Sequence, residues 1–256
     1  MCESVRKQLF QVKLADEIFR IECRYSETKE FLSEYLTCEE SVSSYTVSVG
    51  PEDIRYEQER SRMSAEAEGR EVIHWSDAYL EKLAVYRKIA EILPKKGGIL
   101  YHGSVVAVDG KGHLFTAISG TGKSTHTRLW REYLGDRAVM INDDKPLICI
   151  KEGEVRVYGT PWDGKHHLSM NASVPLVSIV DLERGEKNHI EKVDPMSIYP
   201  LLLQQMYRPT DPDALSCSLK ILDRIMKQVH FYRLKCNMDI EAAKVAYEIL
   251  GSEEKK

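Results

Sequence analysis

The chain has 256 residues and a formal net charge of −4, from 36 basic and 40 acidic side chains. Hydrophobic residues make up 43% and charged residues 30%, which is the composition of a globular protein able to form a core. This near balance of charge argues against a protein built mainly to bind nucleic acid, whose usual footprint is an excess of basic residues.

The sequence predicts no membrane span, no signal peptide and no closely spaced cysteine pair. No run approaches the ~18 consecutive apolar residues of a membrane span, and the start, MCESVRKQLF, lacks the apolar stretch of a signal peptide. The six cysteines are scattered without a CxxC pair, which predicts neither a zinc site nor a disulfide framework. We therefore expect a cytoplasmic protein with free thiols and no membrane or nucleic-acid partner.

The first 95 residues predict a small N-terminal α+β region. Two short β-rich runs, QLFQVKL and EIFRIEC, predict a pair of strands, and SYTVSVG predicts a third strand. ETKEFLSEYL has apolar residues at helical spacing. The highly charged segment that follows, PEDIRYEQERSRMSAEAEG, predicts either an exposed helix or a loop.

The clearest helix of the chain begins after Ser76, which can cap it. Pro94 and Gly97–Gly98 end it, and we place the boundary between the N-terminal region, residues 1–95, and a core, residues 96–256, at this stop. The predicted apolar face of this helix consists of Tyr79, Leu80, Leu83, Tyr86, Ile89, Ala90 and Leu93.

From residue 96 onward, strand and helix patterns alternate, which predicts an α/β core with a mixed sheet. GILYHGSVVAVDG and KGHLFTAIS predict two strands joined by a tight turn at Asp109–Gly110. KSTHTRLWREYLG predicts a helix closed by Gly135, and RAVMIN predicts the next strand. Further strands are predicted in DKPLICI, GEVRVYG, VPLVSIVDLE and HFYRLKC, and further helices near residues 194–207 and 211–229 and in IEAAKVAYEIL.

The segment AISGTGKS, residues 117–124, joins a predicted strand to a predicted helix. It matches the phosphate-binding pattern G-x-x-x-x-G-K-[ST] except that Ala117 replaces the first glycine. In this setting we expect the Lys123 ammonium to reach the β and γ phosphates of ATP and the Ser124 hydroxyl to bind Mg²⁺. The predicted phosphate-binding residues are Ser119, Gly120, Thr121, Gly122, Lys123, Ser124 and Thr125. The plain alternative is a tight turn with a surface lysine.

Two adjacent carboxylates, Asp143 and Asp144, follow the strand RAVMIN. A phosphate-binding loop needs a carboxylate at a nearby strand end to organise its metal, and a second carboxylate can take a proton from an attacking hydroxyl. We assign the metal to Asp144 together with Ser124, and the proton to Asp143, although the two aspartates could exchange these roles. By itself, such a pair is usually a solvated turn.

These motifs occur in an order that resembles HPr kinase/phosphorylase: a strand containing His102, a hairpin, SGTGKS with its helix, and a strand ending in two aspartates. That bacterial enzyme phosphorylates a serine of a carrier protein and shares its nucleotide-binding core with phosphoenolpyruvate carboxykinase. The resemblance covers about residues 98–150. It implies a P-loop kinase core of this type in residues 96–256.

The same resemblance implies roles for individual residues. By itself, a histidine at a strand start is more often a structural hydrogen-bonding group, but the family has a catalytic histidine at the position of His102. The resemblance implies a catalytic centre of His102, Lys123, Ser124, Asp143 and Asp144. It also implies a serine-type hydroxyl acceptor, on a protein, peptide or small molecule, and assembly into a homo-oligomer.

Other residues are weaker candidates. Trp162 and Lys165, in the turn-rich segment GTPWDGK, are candidate substrate contacts, and the alternative is a plain loop. Arg208, before Pro209, is a candidate arginine finger or a cation that compensates the C-terminal end of a helix. We expect no metal at the neighbouring His166 and His167, and we expect Arg128 and Arg131 to be surface residues.

The sequence therefore predicts an ATP- and Mg²⁺-dependent kinase that phosphorylates a hydroxyl group. The alternative is a nucleotide-gated regulatory module or an NTPase without an acceptor. Carboxykinase chemistry ranks last, because the chain lacks a convincing set of arginines for a dicarboxylate.

Overall fold

The computed structural model describes residues 7–39, 45–164 and 166–251. The chain divides into two compact units, with the second starting at residue 93, against 96 in the division drawn from the sequence. None of the seven α-helices in the described residues is long and apolar enough to cross a membrane.

The first unit combines a small sheet with three helices. In this unit β1 pairs antiparallel with β2, and β2 pairs parallel with β3. The turn between β1 and β2 has positive φ at both Ala15 (51°) and Asp16 (63°), as tight hairpins require. The elements are β1 (Gln8–Leu14), β2 (Glu17–Cys23), α1 (Ser26–Phe31), β3 (Tyr45–Ser48), α2 (Pro51–Ala67) and α3 (Asp77–Ile92).

The charged segment after Gly50 is helix α2, not a loop. Arg87 of α3 forms ion pairs with Asp53 (3.0 Å) and Glu57 (2.5 Å) of α2, and Lys88 forms one with Asp53 (2.7 Å). Because both carboxylates are buried, these partners offset the cost of removing them from water. The charges that suggested an exposed segment therefore hold α2 against α3.

The predicted apolar face of α3 is partly wrong. Tyr79 is 39% exposed, whereas Glu81 is completely buried. The Glu81 carboxylate accepts hydrogen bonds from the backbone N–H groups of Arg24 (2.7 Å) and Tyr25 (3.1 Å) and from the Thr28 hydroxyl (2.6 Å). This charged residue is buried because the start of α1 supplies the donors, which helical periodicity cannot reveal.

The second unit contains the α/β core. Its elements are β4 (Gly98–Leu100), β5 (Ser104–Val108), β6 (Lys111–Thr116), α4 (Lys123–Leu134), β7 (Ala138–Asn142), β8 (Leu147–Lys151), β9 (Glu154–Tyr158), β10 (Ser173–Arg184), β11 (His189–Lys192), α5 (Tyr199–Gln205), α6 (Pro212–Gln228), β12 (His230–Cys236) and α7 (Ile240–Leu250).

Strand β10 connects the two parts of the large sheet. Its start pairs antiparallel with β9, and its continuation pairs parallel with both β6 and β12. The order is β4-β8-β9-β10-β6-β5-β7, with β12 also on β10 and β11 on β12. This curled sheet of nine strands within the described residues confirms an α/β fold with a mixed sheet, and β11 is a strand that the sequence did not predict.

Apolar clusters lie on the two faces of this sheet. On β5, Val105 belongs to the cluster covered by α5 and α6, and Val106 belongs to the cluster covered by α4 and α7. Leu114 and Phe115 alternate in the same way on β6. The helix that follows the glycine loop is therefore held by the core through Leu129 and Trp130.

The segment predicted as one strand from Gly98 to Gly110 is two strands, which corrects that prediction. Strand β4 pairs with β8, whereas β5 pairs with β6 and β7, so the chain changes partners at Tyr101–Gly103. Backbone N–H groups stay paired across this break, from Tyr101 to Pro146 (3.1 Å) and from Gly103 to Asp144 (3.1 Å). The break places His102 beside the end of β7.

Two histidines are buried in the core next to Trp130. His126 Nε2 accepts a hydrogen bond from Trp130 Nε1 (3.0 Å), and His113 Nδ1 lies 2.8 Å from the Ser178 hydroxyl. Burial lowers the pKa of each imidazole to about 4, with Lys111 contributing at His113. Both rings are therefore neutral in the folded protein near pH 7.

We predict that acid destabilises the fold through these two rings. Their pKa lies near 4 in the folded chain but ~6.5 when unfolded, so the unfolded state binds more protons as the pH falls between these values. The free energy of unfolding should be highest above pH 6.5 and should fall by about 3 kcal/mol per histidine by pH 4. Urea unfolding at several pH values measures this.

The control is His126→Gln, whose side-chain oxygen can still accept the Trp130 N–H but which cannot titrate. About half of the pH-dependent loss should disappear in this variant. An unchanged pH profile would contradict the assignment of the loss to His126.

Candidate functional site

The glycine loop, residues 117–124, connects the end of β6 to the start of α4. Gly120 and Gly122 have φ values of 80° and 123°, which side chains rarely tolerate. The Thr121 N–H and hydroxyl both bond the Ile118 carbonyl, at 3.2 and 2.8 Å. Ala117 is buried in the core cluster, so the residue that replaces the first glycine of the pattern acts as a packing residue.

Arg184, at the end of β10, supports this loop from outside. Its Nη2 donates to the Gly120 carbonyl (2.5 Å), and its Nε donates to the Thr121 carbonyl (3.5 Å). These bonds occupy loop carbonyls, while the first N–H groups of α4 have no partner within the helix. The loop thus presents donors and a positive helix end, which suit an anion.

Lys123 and Ser124 begin helix α4. Lys123 Nζ donates to the Ala117 carbonyl (3.3 Å), so the side chain folds back over the loop. Burial lowers the pKa of the Lys123 ammonium, and the Asp144 carboxylate opposes this only in part. A desolvated ammonium of this kind gains stability from an anion brought beside it.

A cleft of about 550 Å³ brings most of the predicted site residues together. The glycine loop and the start of α4 form one wall, and the residues after β7 form the other. The lining residues are His102, Ser119, Gly120, Gly122, Lys123, Ser124, Thr125, Asp143, Asp144, Gly164 and His166.

The two aspartates have different surroundings. Asp143 is buried, and its Oδ1 accepts a hydrogen bond from the Ser104 hydroxyl. The same hydroxyl lies 3.1 Å from Thr127 Oγ1, so Ser104 connects the carboxylate to helix α4. Asp143 also approaches Gly164 so closely that a Cβ there would lie 2.9 Å from Oδ2, so a larger residue at that position would displace the carboxylate.

The Asp144 side chain is 34% exposed and lies between the His102 imidazole and the Lys145 ammonium. His102 Nε2 is 3.3 Å and Lys145 Nζ is 3.0 Å from its Oδ1. Burial tends to raise the pKa of this carboxyl, but the His102 hydrogen bond and Lys145 more than offset burial and leave the pKa below its ordinary value. His102 therefore contacts Asp144 and helps to keep it ionised.

Asn142 holds the turn that separates these carboxylates. Its fully buried side chain accepts from the N–H groups of Asp144 (2.9 Å) and Lys145 (2.7 Å) and donates to the Thr160 carbonyl (3.0 Å). The Thr160 hydroxyl in turn donates to the Lys145 carbonyl (2.8 Å). Sequence analysis missed these two residues, although an asparagine before a turn is a recognisable signal because it bonds the backbone two residues on.

The segment after β9 contributes different residues from those predicted. His166 lines the cleft, whereas the neighbouring His167 Nδ1 lies 3.0 Å from Asp163. Trp162 is only 8% exposed and is not among the cleft residues. Lys165 lies outside the described residues.

Arg208 is exposed and is not among the residues that line the cleft. The preceding residues, Met206 and Tyr207, pair with Tyr101 and Leu100, so the chain runs from Gln205 beside His102 toward β4. The structure thus brings Gln205, but not Arg208, next to the histidine.

The cleft contains oxygen donors of the kind that Mg²⁺ prefers, namely the Asp143 and Asp144 carboxylates and the Ser124 hydroxyl. Within the described residues, this hydroxyl has no hydrogen-bond partner, and no group of three or more His, Cys, Asp or Glu residues is arranged to hold a metal ion. A site with few protein ligands suits Mg²⁺ bound together with phosphate oxygens and water.

A second, larger cavity of about 780 Å³ adjoins the glycine loop. It shares Gly120, Gly122 and Thr125 with the cleft. Its surface is mainly apolar and includes Leu129, Leu182, Cys236 and Met238, and Glu183 and Glu186 also line it.

The fold is distantly similar to solved structures of other proteins. The chain is similar to the Hpr(Ser) kinase/phosphatase from Coxiella burnetii, with a TM-score of 0.36 and 10% sequence identity, over 61% of this chain and 93% of that chain. No protein-family model and no curated protein matches the sequence. A similarity this weak assigns no activity, so the geometry of the site has to support any function.

We predict that Asn142→Ala destabilises the second unit by about 2–3 kcal/mol, because it removes a fully buried side chain that accepts from two partly buried N–H groups and donates to the Thr160 carbonyl. Urea unfolding followed by circular dichroism measures the loss. Val139→Ala, at an exposed position of the same strand, should cost less than about 0.5 kcal/mol. Equal effects of the two substitutions would contradict this role of Asn142.

Proposed function

We propose that this protein is a kinase that binds ATP with Mg²⁺ at the glycine loop and transfers the γ-phosphoryl group to a hydroxyl acceptor. The observation that carries the proposal is the unequal pair of carboxylates facing Lys123. Asp144 contacts His102 and Lys145, which lower its pKa, whereas Asp143 is buried and accepts a hydrogen bond from the Ser104 hydroxyl. A protein that only binds a nucleotide has no evident use for the second carboxylate.

Phosphate binding follows from the loop and the helix start. The N–H groups at the start of α4 and the positive φ values of Gly120 and Gly122 suit the β and γ phosphates. Lys123 exchanges its hydrogen bond to the Ala117 carbonyl for contacts with phosphate oxygens. Arg184 keeps the loop in this shape from the opposite side.

The neighbouring apolar cavity suits the nucleoside. It begins at Gly120, Gly122 and Thr125, which also line the phosphate cleft, so a molecule with a polyphosphate at one end and a flat ring at the other fits across both. Leu182 and Met238 offer apolar contact to such a ring.

In the transfer step, Asp143 accepts the proton of the acceptor hydroxyl. The acceptor oxygen forms a bond to the γ phosphorus, the bond from that phosphorus to the β–γ bridging oxygen breaks, and ADP leaves. Lys123 stabilises charge on the γ phosphate, and His102 holds Asp144 in its ionised form. Asp144 and Ser124 would hold Mg²⁺, which would supply positive charge to the phosphate oxygens.

We predict that Lys123→Ala weakens Mg·ATP binding at least tenfold and reduces turnover at least 100-fold, because the phosphates lose their desolvated cation. Calorimetry measures binding, and ADP release measures turnover. Lys187→Ala removes an exposed lysine without a contact in the described residues and should leave both values unchanged. Wild-type turnover by Lys123→Ala would refute the proposed site.

We also predict that the two aspartates respond differently to replacement. Asp143→Asn should bind Mg·ATP within about threefold of the wild type but lose at least 100-fold in transfer, since the proton acceptor is gone. Asp144→Asn should raise the Mg²⁺ concentration needed for half-maximal nucleotide binding. Both measurements use purified variants of the full chain.

The outcome also separates the kinase from the alternative. Slow ATP hydrolysis that no acceptor accelerates, together with unchanged hydrolysis by Asp143→Asn, would favour a nucleotide-gated module or an NTPase without an acceptor.

A further inference from the structure

A third cavity, the α4 cleft, lies beside the phosphate cleft. It has a volume of about 420 Å³. Its lining residues include Thr127, Arg128, Arg131, Asp143, His166 and Leu168. The α4 cleft and the phosphate cleft share Ser124, Thr125, Asp143 and His166. Asp143 therefore lines both clefts. If an acceptor hydroxyl binds at Asp143 next to the γ phosphate, the rest of the acceptor can occupy the α4 cleft.

Arg131 is the unusual residue of this cleft. It was expected at the surface, but it is half-buried, and its Nε atom is buried without a hydrogen-bond partner in the part of the chain that the structure describes. A buried guanidinium donor without a partner costs free energy, which an anionic ligand would recover. Arg128, one turn earlier at the rim, is already paired with Glu132.

The geometry also sets a length for the ligand. The Ser104 hydroxyl contacts both Asp143 and Thr127, so the carboxylate lies level with Thr127 on helix α4. Arg131 follows Thr127 by four residues, which is one turn further along the same face, or about 6 Å. A ligand that reaches both groups spans about that distance.

Building on the proposed kinase activity, we propose that the phosphoryl acceptor is a small hydroxyl compound that also carries a carboxylate or a phosphate group. Its hydroxyl lies at Asp143, and its anionic group pairs with Arg131 about one helical turn away. The cleft volume lies at the lower end of the range of ligand pockets, about 300–1,000 Å³, which suits a small molecule. His166, between the two clefts, closes the space around the reacting groups.

The chemistry of the step is unchanged by this assignment. The hydroxyl proton passes to Asp143, the oxygen bonds the γ phosphorus, and ADP leaves. The anionic group of the acceptor takes no part in the bond changes. Its pairing with Arg131 selects the acceptor and orients the hydroxyl, because a guanidinium binds carboxylate and phosphate oxygens in a fixed planar geometry.

Calorimetric titrations with three related probes test this proposal. Glycerol 3-phosphate and glycerate carry the two kinds of anionic group, and glycerol carries none. We expect at least one anionic probe to bind the full chain at least tenfold more tightly than glycerol, both with and without Mg·ADP. The preferred anionic probe identifies the group as a phosphate or a carboxylate.

Two variants assign the preference to the α4 cleft. Arg131→Gln should reduce the preference for the anionic probe at least tenfold while changing Mg·ADP affinity less than twofold. Arg224→Gln removes an exposed arginine of α6 without a contact in the described residues and should keep the preference. Arg131→Gln also has to show an unfolding transition like that of the wild type.

Several results would overturn the inference. The first is that no anionic probe binds more tightly than glycerol. The second is that Arg131→Gln keeps the wild-type preference for the anionic probe. The third is that the wild type and Arg131→Gln phosphorylate a serine-containing peptide equally well. If the protein does not bind the nucleotide, the proposed function fails. The titrations without Mg·ADP then still measure whether the α4 cleft prefers an anionic probe. If the nucleotide binds normally and the anion preference is absent, only the inference fails.

Discussion

The side chain of Asn142 holds the chain in place where strand β7 ends, and the arrangement of the site depends on this contact. By accepting from two backbone N–H groups and donating to Thr160, it forces a tight turn directly after the strand. The turn directs Asp143 toward Ser104 in the interior and Asp144 toward His102 and the cleft. Two adjacent carboxylates therefore have different surroundings, and this difference is the basis for proposing one as a proton acceptor and the other as a metal ligand.

The charges around the cleft are balanced unevenly. Burial partly desolvates the Lys123 ammonium, which donates a long hydrogen bond to the Ala117 carbonyl. Arg131 has a buried N–H donor without a partner in the described residues. Each of these groups therefore costs folding free energy in the chain without a ligand. Asp144, by contrast, has the His102 imidazole and the Lys145 ammonium as close neighbours. An anion on either side of Asp143 would relieve these costs, which is the common physical basis for the proposed nucleotide site and for the proposed acceptor site.

The sequence predicted turns, strands and helices correctly where residues within one short segment determine them. The hairpin at Asp109–Gly110 and the strand, glycine loop and helix around Lys123 follow from torsional preferences and apolar periodicity. The break at His102 and the buried Glu81 were not predictable in this way. Each depends on a partner more than 40 residues away, β8 in one case and the start of α1 in the other, and no short window contains both halves of such a contact.

The sequence by itself determined which chemical groups are available: a loop with two glycines, a lysine and a serine at a helix start, and two carboxylates at a strand end. Only the tertiary structure decided what each group does, because burial and hydrogen-bond partners come from distant segments. Asp143 differs from Asp144 since Ser104 and Gly164 approach one and His102 and Lys145 approach the other. Arg131, which the sequence marks as an ordinary surface cation, lines a cleft because helix α4 packs beside the turn after β7.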